Sequence, residues 1–274
     1  MLFVRALRSY SSNMAQKFRD HAKPGSDFVS LKAPPSRILV TGFGTFPGVH
    51  DNPTALLIHA LGKHRTRLAR LGIALEGAML PVEYAGVAKE LETLNETLKP
   101  DAILHFGLAA RRKFISIETR ALNRLSLLHC DAAGVRAPRR AIVPGAPLAA
   151  HSTFPARQIE AAMRRAGLRA RLSANAGDYV CNETLYLSLA RSPVRVAGFI
   201  HVPRLARASR PKAASRSRRP DLASLTRAAL IAILVTARKL RQDRAKARVA
   251  TPAHRDFVKT PGKRPALDRV RSMA

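Results

Sequence analysis

From residue 37 onward, short apolar segments with strand periodicity alternate with longer segments that have helical periodicity. This order restricts the fold more than any other feature, because βα units pack their helices against the faces of a mostly parallel sheet. The predicted strands are residues 38–42, 74–82, 101–107, 113–123, 170–174 and 194–202. The predicted helices are residues 53–63, 84–98, 154–166, 182–190 and 221–248. We therefore predict an α/β fold: a single three-layer αβα domain with a mostly parallel, twisted central sheet.

Both ends of the chain differ in composition from this alternating region. Residues 1–35 lack a sustained pattern and end in a Pro-Pro linker, so we predict a flexible N-terminal extension. Its first residues are basic and free of acids, which is typical of an organellar transit peptide and equally of an extraneous extension, with Met14 as an alternative start. Residues 249–274 are rich in Pro, Lys and Arg and are predicted to be a disordered basic tail. The predicted α/β domain, including a basic C-terminal helix, thus spans residues 36–248.

The charge of the chain is extreme, a formal +30 at pH 7 over 274 residues. More than half of the excess, +16, lies in residues 204–274, after the segments that carry the candidate chemistry. The basic residues are mostly Arg interleaved with Ala, without the aromatic side chains on which single-strand binders stack bases. We therefore predict a solvated, compositionally biased tail rather than a specific nucleic-acid interface.

Neither a membrane span nor a metal site is predicted. The longest apolar run, residues 228–237, is too short to cross a bilayer, so we expect a soluble, cytoplasmic protein. The two cysteines, Cys130 and Cys181, are too few for a tetrahedral metal site, and no CxxC or HExxH spacing surrounds them. A chain of this size needs no disulfide, which favours free thiols over a bond between the two. We predict no metal and no cofactor.

Cys181 lies where a strand-like segment, residues 176–180, meets the first turn of a predicted helix. A lone cysteine is most often an inert buried thiol, and this residue alone leaves that alternative open. At a helix N-terminus, however, unpaired backbone N–H groups and the helix dipole favour thiolate over thiol and can hold an oxyanion. The position therefore predicts a nucleophile.

His201 and Glu118 are the candidate partners of this thiol. His201 ends the apolar strand 196–200, and ligands of open α/β sheets bind outside the carboxyl ends of the strands. Glu118 lies inside an alternating segment, where the alternative is a solvated carboxylate paired with Arg112 or Arg120. A thiol, a base and a carboxylate are the parts of a nucleophilic hydrolase, provided that the fold brings them together.

The loop at residues 41–48 has the sequence Thr-Gly-Phe-Gly-Thr-Phe-Pro-Gly and follows a predicted strand. It is not a dinucleotide-binding loop, because Pro47 stands where the third glycine of that motif is needed for close helix packing. Phe43 and Phe46 on this Gly-rich loop indicate a flat apolar pocket, with ordinary core packing as the alternative.

These segments together resemble the pyrrolidone-carboxylate peptidases (pyroglutamyl peptidase I), a family of cysteine exopeptidases. Four motifs of that family occur here in the family's order. They are the 41–48 loop with Asn-Pro-Thr at 52–54, the pattern Arg-x-x-Ile-x-x-Glu-x-x-Ala-x-Asn at 112–123, Ala-Gly-Asp-Tyr-Val-Cys-Asn at 176–182, and Gly-Phe-Ile-His-Val-Pro at 198–203. The resemblance covers residues 37–203, and the final helix extends it to about residue 241.

The resemblance implies a phosphorylase/hydrolase-like fold and the removal of an N-terminal pyroglutamyl (5-oxoproline) residue from peptides, without metal or cofactor. It implies that Cys181 attacks the carbonyl after the lactam. It further implies that His201 carries the thiol proton to the leaving amine and that Glu118 orients His201.

For the substrate, the resemblance implies that Phe43 and Phe46 sandwich the lactam ring, with Asn52 and Val180 as further substrate-binding residues. Pyroglutamate has no free α-amino charge, so an apolar slot rejects charged N-termini through their desolvation cost. Peptides with N-terminal pyroglutamate are the expected partners. Because the family often forms tetramers, a homo-oligomer is a further expectation.

Two positions depart from the family pattern: Leu108 and Leu128 stand where Gln and Arg are usual. Two alternatives therefore stay open. One is a thiol amidase of shifted specificity, and the other is a non-catalytic homologue that binds anions or nucleic acid through its Arg-rich C-terminus. The complete set of Cys181, His201 and Glu118 favours an enzyme, because a binding module needs none of the three.

Overall fold

The computed structural model describes residues 34–46, 49, 51–206 and 219–250. The predicted N-terminal extension and C-terminal tail lie almost entirely outside these residues, as does Pro47. The strands are β1 (Ser36–Phe43), β2 (Ile73–Leu80), β3 (Ala102–Leu108), β4 (Ile115–Glu118), β5 (Arg120–Leu122), β6 (Ala149–His151), β7 (Ala170–Ser173) and β8 (Val196–Val202). The helices are α1 (Pro53–Gly62), α2 (Arg65–Arg70), α3 (Tyr84–Leu98), α4 (Ala156–Arg165), α5 (Val180–Ala190) and α6 (Leu222–Ala250).

The central sheet has six strands in the order β2-β1-β3-β8-β4-β7. All neighbouring pairs are parallel except β4 and β8, which run antiparallel. The connection between β3 and β4, residues 109–114, is too short to hold a crossover helix, so β4 enters the sheet in the reverse direction. The prediction of a mostly parallel α/β sheet is confirmed.

Residues 113–123 do not form the single strand that their alternation predicted. Glu118 ends β4 in the central sheet, and Arg120–Leu122 pairs antiparallel with Ala149–His151 in a separate two-stranded sheet. Between them, Thr119 donates its backbone N–H to the carbonyl of Ser173 at 2.7 Å. The strand is interrupted because its first half pairs with β7 and β8 and its second half pairs with β6. The sequence of β6 has no strand pattern from which it could be predicted.

Helices cover both faces of the central sheet. On one face, α1, α4 and α6 share an apolar cluster with sheet residues such as Ile38, Leu104 and Ile200. On the other face, α3 and α5 pack into a second cluster that includes Phe43 and Phe199. One face of α6 is buried against the sheet: Leu225, Ala229, Ile233 and Ala237 are each 0% exposed. Burial of the leucine and isoleucine side chains alone stabilises the packing of α6 by about 1.5–3 kcal/mol each.

The start of α1 follows directly from its local sequence. Asn52 is the N-cap, and its side-chain oxygen accepts the backbone N–H of Thr54 at 3.1 Å. Pro53 occupies the first helical position, where no backbone N–H is needed.

Among the described residues, no helix combines the length and the hydropathy that a membrane crossing requires.

Candidate active site

His201 and Glu118 meet on the two strands that run antiparallel in the central sheet. His201 is on β8 and Glu118 ends β4, and the His201 Nδ1 lies 2.9 Å from the Glu118 Oε1. Since an ionised carboxylate only accepts hydrogen bonds, Nδ1 carries the proton and donates it. This arrangement leaves Nε2 of His201 as the nitrogen that can accept a proton.

The Cys181 thiol lies beside the end of β3, next to the strand that carries the histidine. Cys181 is the second residue of α5, which begins at Val180 after Tyr179 in extended conformation. Gly107 is the register partner of His201 across β3 and β8. A Cβ built on Gly107 would lie 3.0 Å from the Cys181 Sγ. Because paired residues of parallel strands direct their side chains to one face, the sulfur and the imidazole share one side of the sheet.

Burial decides the resting protonation of the Cys181 thiol. It raises the pKa of Cys181 to about 12, and the negative charge of Glu118 raises it further, while Arg112 lowers it in part. The helix N-terminus favours the thiolate, as the sequence predicts, but burial opposes it and the net shift of the Cys181 pKa is upward. Desolvation penalises the charged form more than the helix terminus favours it.

His201 is neutral for the same reason. Burial lowers the pKa of His201, the hydrogen bond and charge of Glu118 raise it, and the charge of Arg112 lowers it, with a net shift downward. The side chain is almost fully buried, and its ring centroid is 4.7 Å from that of Phe199. A neutral imidazole beside a neutral thiol is ready to act as a general base when a substrate arrives.

We expect alkylation of Cys181 by iodoacetamide to accelerate about tenfold per pH unit between pH ~7 and pH ~9, because only the thiolate reacts and its pKa lies above this range. Mass spectrometry of the two cysteine peptides separates the rate at Cys181 from that at the exposed Cys130. A Cys181 rate that is already flat across this range would show a preformed thiolate–imidazolium pair and contradict the neutral pair.

Glu118 is 0% exposed, so the alternative of a solvated carboxylate is wrong. Arg112 contacts it, with Nη1 donating to Oε1 at 2.6 Å, whereas Arg120 donates its Nε to the carbonyl of Ala174 at 3.0 Å. Burial alone raises the pKa of Glu118, but the hydrogen bond and charge of His201 and the charge of Arg112 lower it overall. Glu118 is thus an ionised group held between an arginine and the histidine.

The aromatic loop residues lie on the same side of the sheet as this triad. Phe43 is 3% exposed, and its ring centroid is 6.3 Å from that of Phe199, which in turn contacts His201. Phe46 is half-buried against the same apolar cluster and pairs with Val49 through hydrogen bonds of 2.8 and 3.3 Å. Phe43 therefore lies near His201 through the Phe199 ring, and Phe46 packs against the same apolar cluster.

Asn52 and Val180, the other two predicted substrate contacts, direct their side chains into the protein. The Asn52 oxygen accepts from the backbone N–H and hydroxyl of Thr54, and its Nδ2 donates to the Gly44 carbonyl at 2.9 Å. Val180 is 0% exposed within the cluster that contains Phe43. Asn52 thus supports the aromatic loop, and only the backbone of Val180 is left to face a ligand.

Two buried acids, Glu183 and Asp131, were not predicted from the sequence. Glu183, in the first turn of α5, is 7% exposed, and burial together with the charge of Asp131 raises its pKa to about 8. Asp131 holds its loop by accepting the backbone N–H groups of Tyr84, Ala133 and Val135. Nothing in the local pattern marks these acids as buried, because their environment comes from distant segments.

Gly107 is a further residue of the site to which the sequence assigned no role. Gly107 leaves the space that the Cys181 sulfur and the Phe199 ring occupy. A glycine at the end of an apolar strand is a usable signal for such a close approach.

In the ranges that the structure covers, no group of three or more His, Cys, Asp or Glu side chains is placed to hold a metal ion.

Residues 36–239 match the model of the pyroglutamyl peptidase family. The pyrrolidone-carboxylate peptidase of Pyrococcus furiosus is 38% identical over 171 residues, which are 61% of this chain and 80% of that protein. That of Gloeobacter violaceus is 36% identical over 173 residues, 62% of this chain and 82% of the other. The solved pyrrolidone carboxyl peptidase of Thermus thermophilus has a TM-score of 0.62 and 35% identity, covering 73% of this chain and 99% of that one. For the Thermococcus litoralis structure the TM-score is 0.66 at 28% identity, with 76% and 96% covered.

Proposed function

The chain belongs to the pyroglutamyl peptidase family and is a cysteine peptidase, and we propose that Cys181, His201 and Glu118 remove an N-terminal pyroglutamyl residue from peptides. The observation that carries this proposal is the shared geometry of the three. A buried carboxylate holds Nδ1 of His201 at 2.9 Å, and the Cys181 Sγ lies against Gly107, the register partner of that histidine.

In the first half of the reaction, Cys181 attacks the pyroglutamyl carbonyl and forms a tetrahedral intermediate. His201 Nε2 takes the thiol proton as Sγ bonds to the carbonyl carbon between the lactam and the next residue. The backbone N–H of Cys181, in the first turn of α5, is placed to hold the oxyanion. Glu118 stabilises the imidazolium that forms, as the third group of a triad does.

In the second half, His201 donates a proton twice, first to the leaving amine and then to the Cys181 sulfur. The imidazolium protonates the amine as the C–N bond breaks, which releases the shortened peptide and leaves the pyroglutamyl group as a thioester on Cys181. The neutral imidazole then takes a proton from a water molecule that attacks the thioester, and it gives this proton to the sulfur as the C–S bond breaks. Pyroglutamic acid departs, and the neutral thiol and imidazole are restored.

The specificity of the site comes from the apolar loop. Phe43 and Phe46 hold the faces of the lactam ring, which carries no charge, while Asn52 keeps their loop in place through Gly44. A peptide with a free N-terminal ammonium would have to lose its hydration against these apolar rings. The site therefore rejects ordinary N-termini.

Several expectations from the sequence stay predictions. These are the domain limits at residues 36 and 248, a cytoplasmic location and assembly into a homo-oligomer. Leu108 is half-buried at the end of β3, whereas Leu128 is 79% exposed, so a change at Leu128 acts on a side chain outside the protein interior. No contact of either residue favours a thiol amidase of a different specificity over the pyroglutamyl peptidase.

A substrate comparison tests the proposed activity. We expect the enzyme to release a fluorogenic amine from a pyroglutamyl amide with a kcat/KM at least about 10³-fold higher than from the matching prolyl amide, whose ring carries a charged amine. Equal cleavage of both amides would contradict the lactam pocket but keep the thiol chemistry. A folded enzyme that cleaves neither would contradict the proposed function.

A further inference from the structure

Arg112 connects the carboxylate of the triad to the segment that leads into the nucleophile. Its Nη1 donates to the Glu118 Oε1 at 2.6 Å, and its Nη2 donates to the carbonyl of Asn175 at 2.8 Å. The same carboxylate oxygen accepts the His201 Nδ1. One planar guanidinium thus contacts both the acid of the triad and the loop before Cys181, a geometry that its rigid fork allows and a single ammonium does not.

The loop that Arg112 contacts, residues 174–179, sets the position of α5. Gly177 has a φ of 87°, a conformation that favours glycine, and its backbone N–H donates to the Asn175 side chain at 3.0 Å. Tyr179 at the end of the loop is the N-cap of α5, and Cys181 follows two residues later. A shift of the Asn175 carbonyl is therefore transmitted to the nucleophile over a short stretch of chain.

The charge of Arg112 also acts on every member of the triad. It lowers the pKa of Glu118, of His201 and of Cys181. Arg112 is 27% exposed while Glu118 is 0% exposed, so this charge reaches a buried carboxylate from the edge of the site. Loss of this charge raises the pKa of His201 in the free enzyme. The neutral imidazole that acts as the base is then already protonated at a higher pH.

We propose that Arg112 is a positioning residue of the reaction, which joins Glu118 to the 174–179 loop so that acid, base and nucleophile keep one relative geometry. This proposal rests on the proposed function. Arg112 has two separable effects: its two hydrogen bonds bridge Glu118 and the Asn175 carbonyl, and its positive charge acts on the triad. Different substitutions remove these two effects. Arg112→Lys keeps the charge but cannot hold both contacts, whereas Arg112→Gln loses the charge as well.

The chain offers a matched control in Arg120. Its Nε donates to the carbonyl of Ala174, in the same loop, but it makes no hydrogen bond to the triad in the described structure. Arg120→Gln therefore loosens the loop by one hydrogen bond without touching Glu118. A purely structural role of loop anchoring predicts similar effects for the Arg112 and Arg120 variants.

The experiment measures kcat/KM on a pyroglutamyl amide across pH for the wild type and the three variants, together with the pH dependence of Cys181 alkylation. We expect Arg112→Gln to lose about 10–100-fold in kcat/KM and its acid limb to move to higher pH. We expect Arg112→Lys to lose about tenfold with the limb at the wild-type position, and Arg120→Gln to behave like the wild type.

An unchanged rate and acid limb in Arg112→Gln would overturn the proposal, as would equal losses in Arg112→Gln and Arg120→Gln. If Arg112→Gln does not fold, full activity in Arg112→Lys would overturn the bridge. Failure of the proposed function and failure of the Arg112 proposal can be distinguished, because alkylation needs no substrate. A wild type that does not cleave the amide contradicts the proposed function. In that case, slower alkylation of Cys181 in Arg112→Gln at each pH would still support the role of Arg112, and an unchanged alkylation rate would overturn it.

Discussion

Replacing Cys181 with alanine is expected to abolish cleavage of a pyroglutamyl amide and leave the fold intact. In the proposed mechanism the sulfur bonds to the substrate carbon, so we expect kcat to fall by about 10⁴-fold or more, with residual rate only from the oxyanion site and binding. The side chain is small and half-buried, so we expect a change in unfolding free energy of about 1 kcal/mol. Release of the fluorogenic amine and thermal unfolding measure the two quantities.

The control for this variant is Cys130→Ala. Cys130 is exposed, and the hydrogen bond it accepts from the Tyr179 hydroxyl at 3.1 Å goes to its backbone carbonyl, which alanine keeps. We expect its activity to stay within about twofold of the wild type, because a surface substitution away from such contacts changes little. Activity that survives in Cys181→Ala but disappears in Cys130→Ala would exclude Cys181 as the nucleophile.

Gly107→Ala is expected to impair both stability and activity, because the new methyl group has no space. Its Cβ would lie 2.6 and 2.8 Å from the Phe199 ring atoms Cζ and Cε1 and 3.0 Å from the Cys181 Sγ. Phe199 cannot turn away freely, since its ring lies 4.7 Å from that of His201, 5.9 Å from His105 and 6.3 Å from Phe43. We expect a loss of about 1–3 kcal/mol in unfolding free energy and, from the displaced thiol, about 100-fold in kcat/KM.

Gly62→Ala serves as the control for Gly107→Ala. Gly62 is the last residue of α1, and nothing lies within 4 Å of a Cβ built there. Alanine is a better helix former than glycine, so this variant should be as stable as the wild type or more stable by up to about 1 kcal/mol. Urea unfolding and amide cleavage compare the two variants. Normal activity and stability in Gly107→Ala would show that the Cys181 sulfur and the Phe199 ring do not pack against β3 as described.

The order of strands and helices was predictable from the sequence, whereas one strand pairing was not. Apolar periodicity predicted every strand of the central sheet and every helix except the six-residue α2, because burial of a repeating face leaves a local signature. The alternating segment 113–123 looked like one strand, yet it divides at Thr119 between two sheets. The division depends on β6, a partner about 30 residues away with no pattern of its own.

The identity of the chemical groups was likewise readable from local motifs. Cys181 stands at the start of a helix and His201 at the end of a buried strand because both positions are marked by apolar periodicity and turn residues. The sequence predicted Phe43 and Phe46 on one loop, but Phe43 is the last residue of β1 and only Phe46 lies on the loop. The side chains of Asn52 and Val180 could not be placed, since whether they face a ligand or the interior depends on residues such as Gly44 that only the folded chain brings near.

By itself, the sequence determined the fold class, the family motifs and the three candidate reactive residues, all of which depend on local pattern and residue chemistry. Only the tertiary structure decided the surroundings and contacts of those residues. Burial, a property of the surrounding chain, raises the pKa of Cys181, whereas its helix terminus alone favours the thiolate. Packing also decides that Arg112, and not Arg120, contacts Glu118, although both arginines lie close to it in sequence. The free energy of a charged group depends on its distance from other charges and on its solvent exposure. Both quantities are properties of the folded structure and cannot be read from the local sequence.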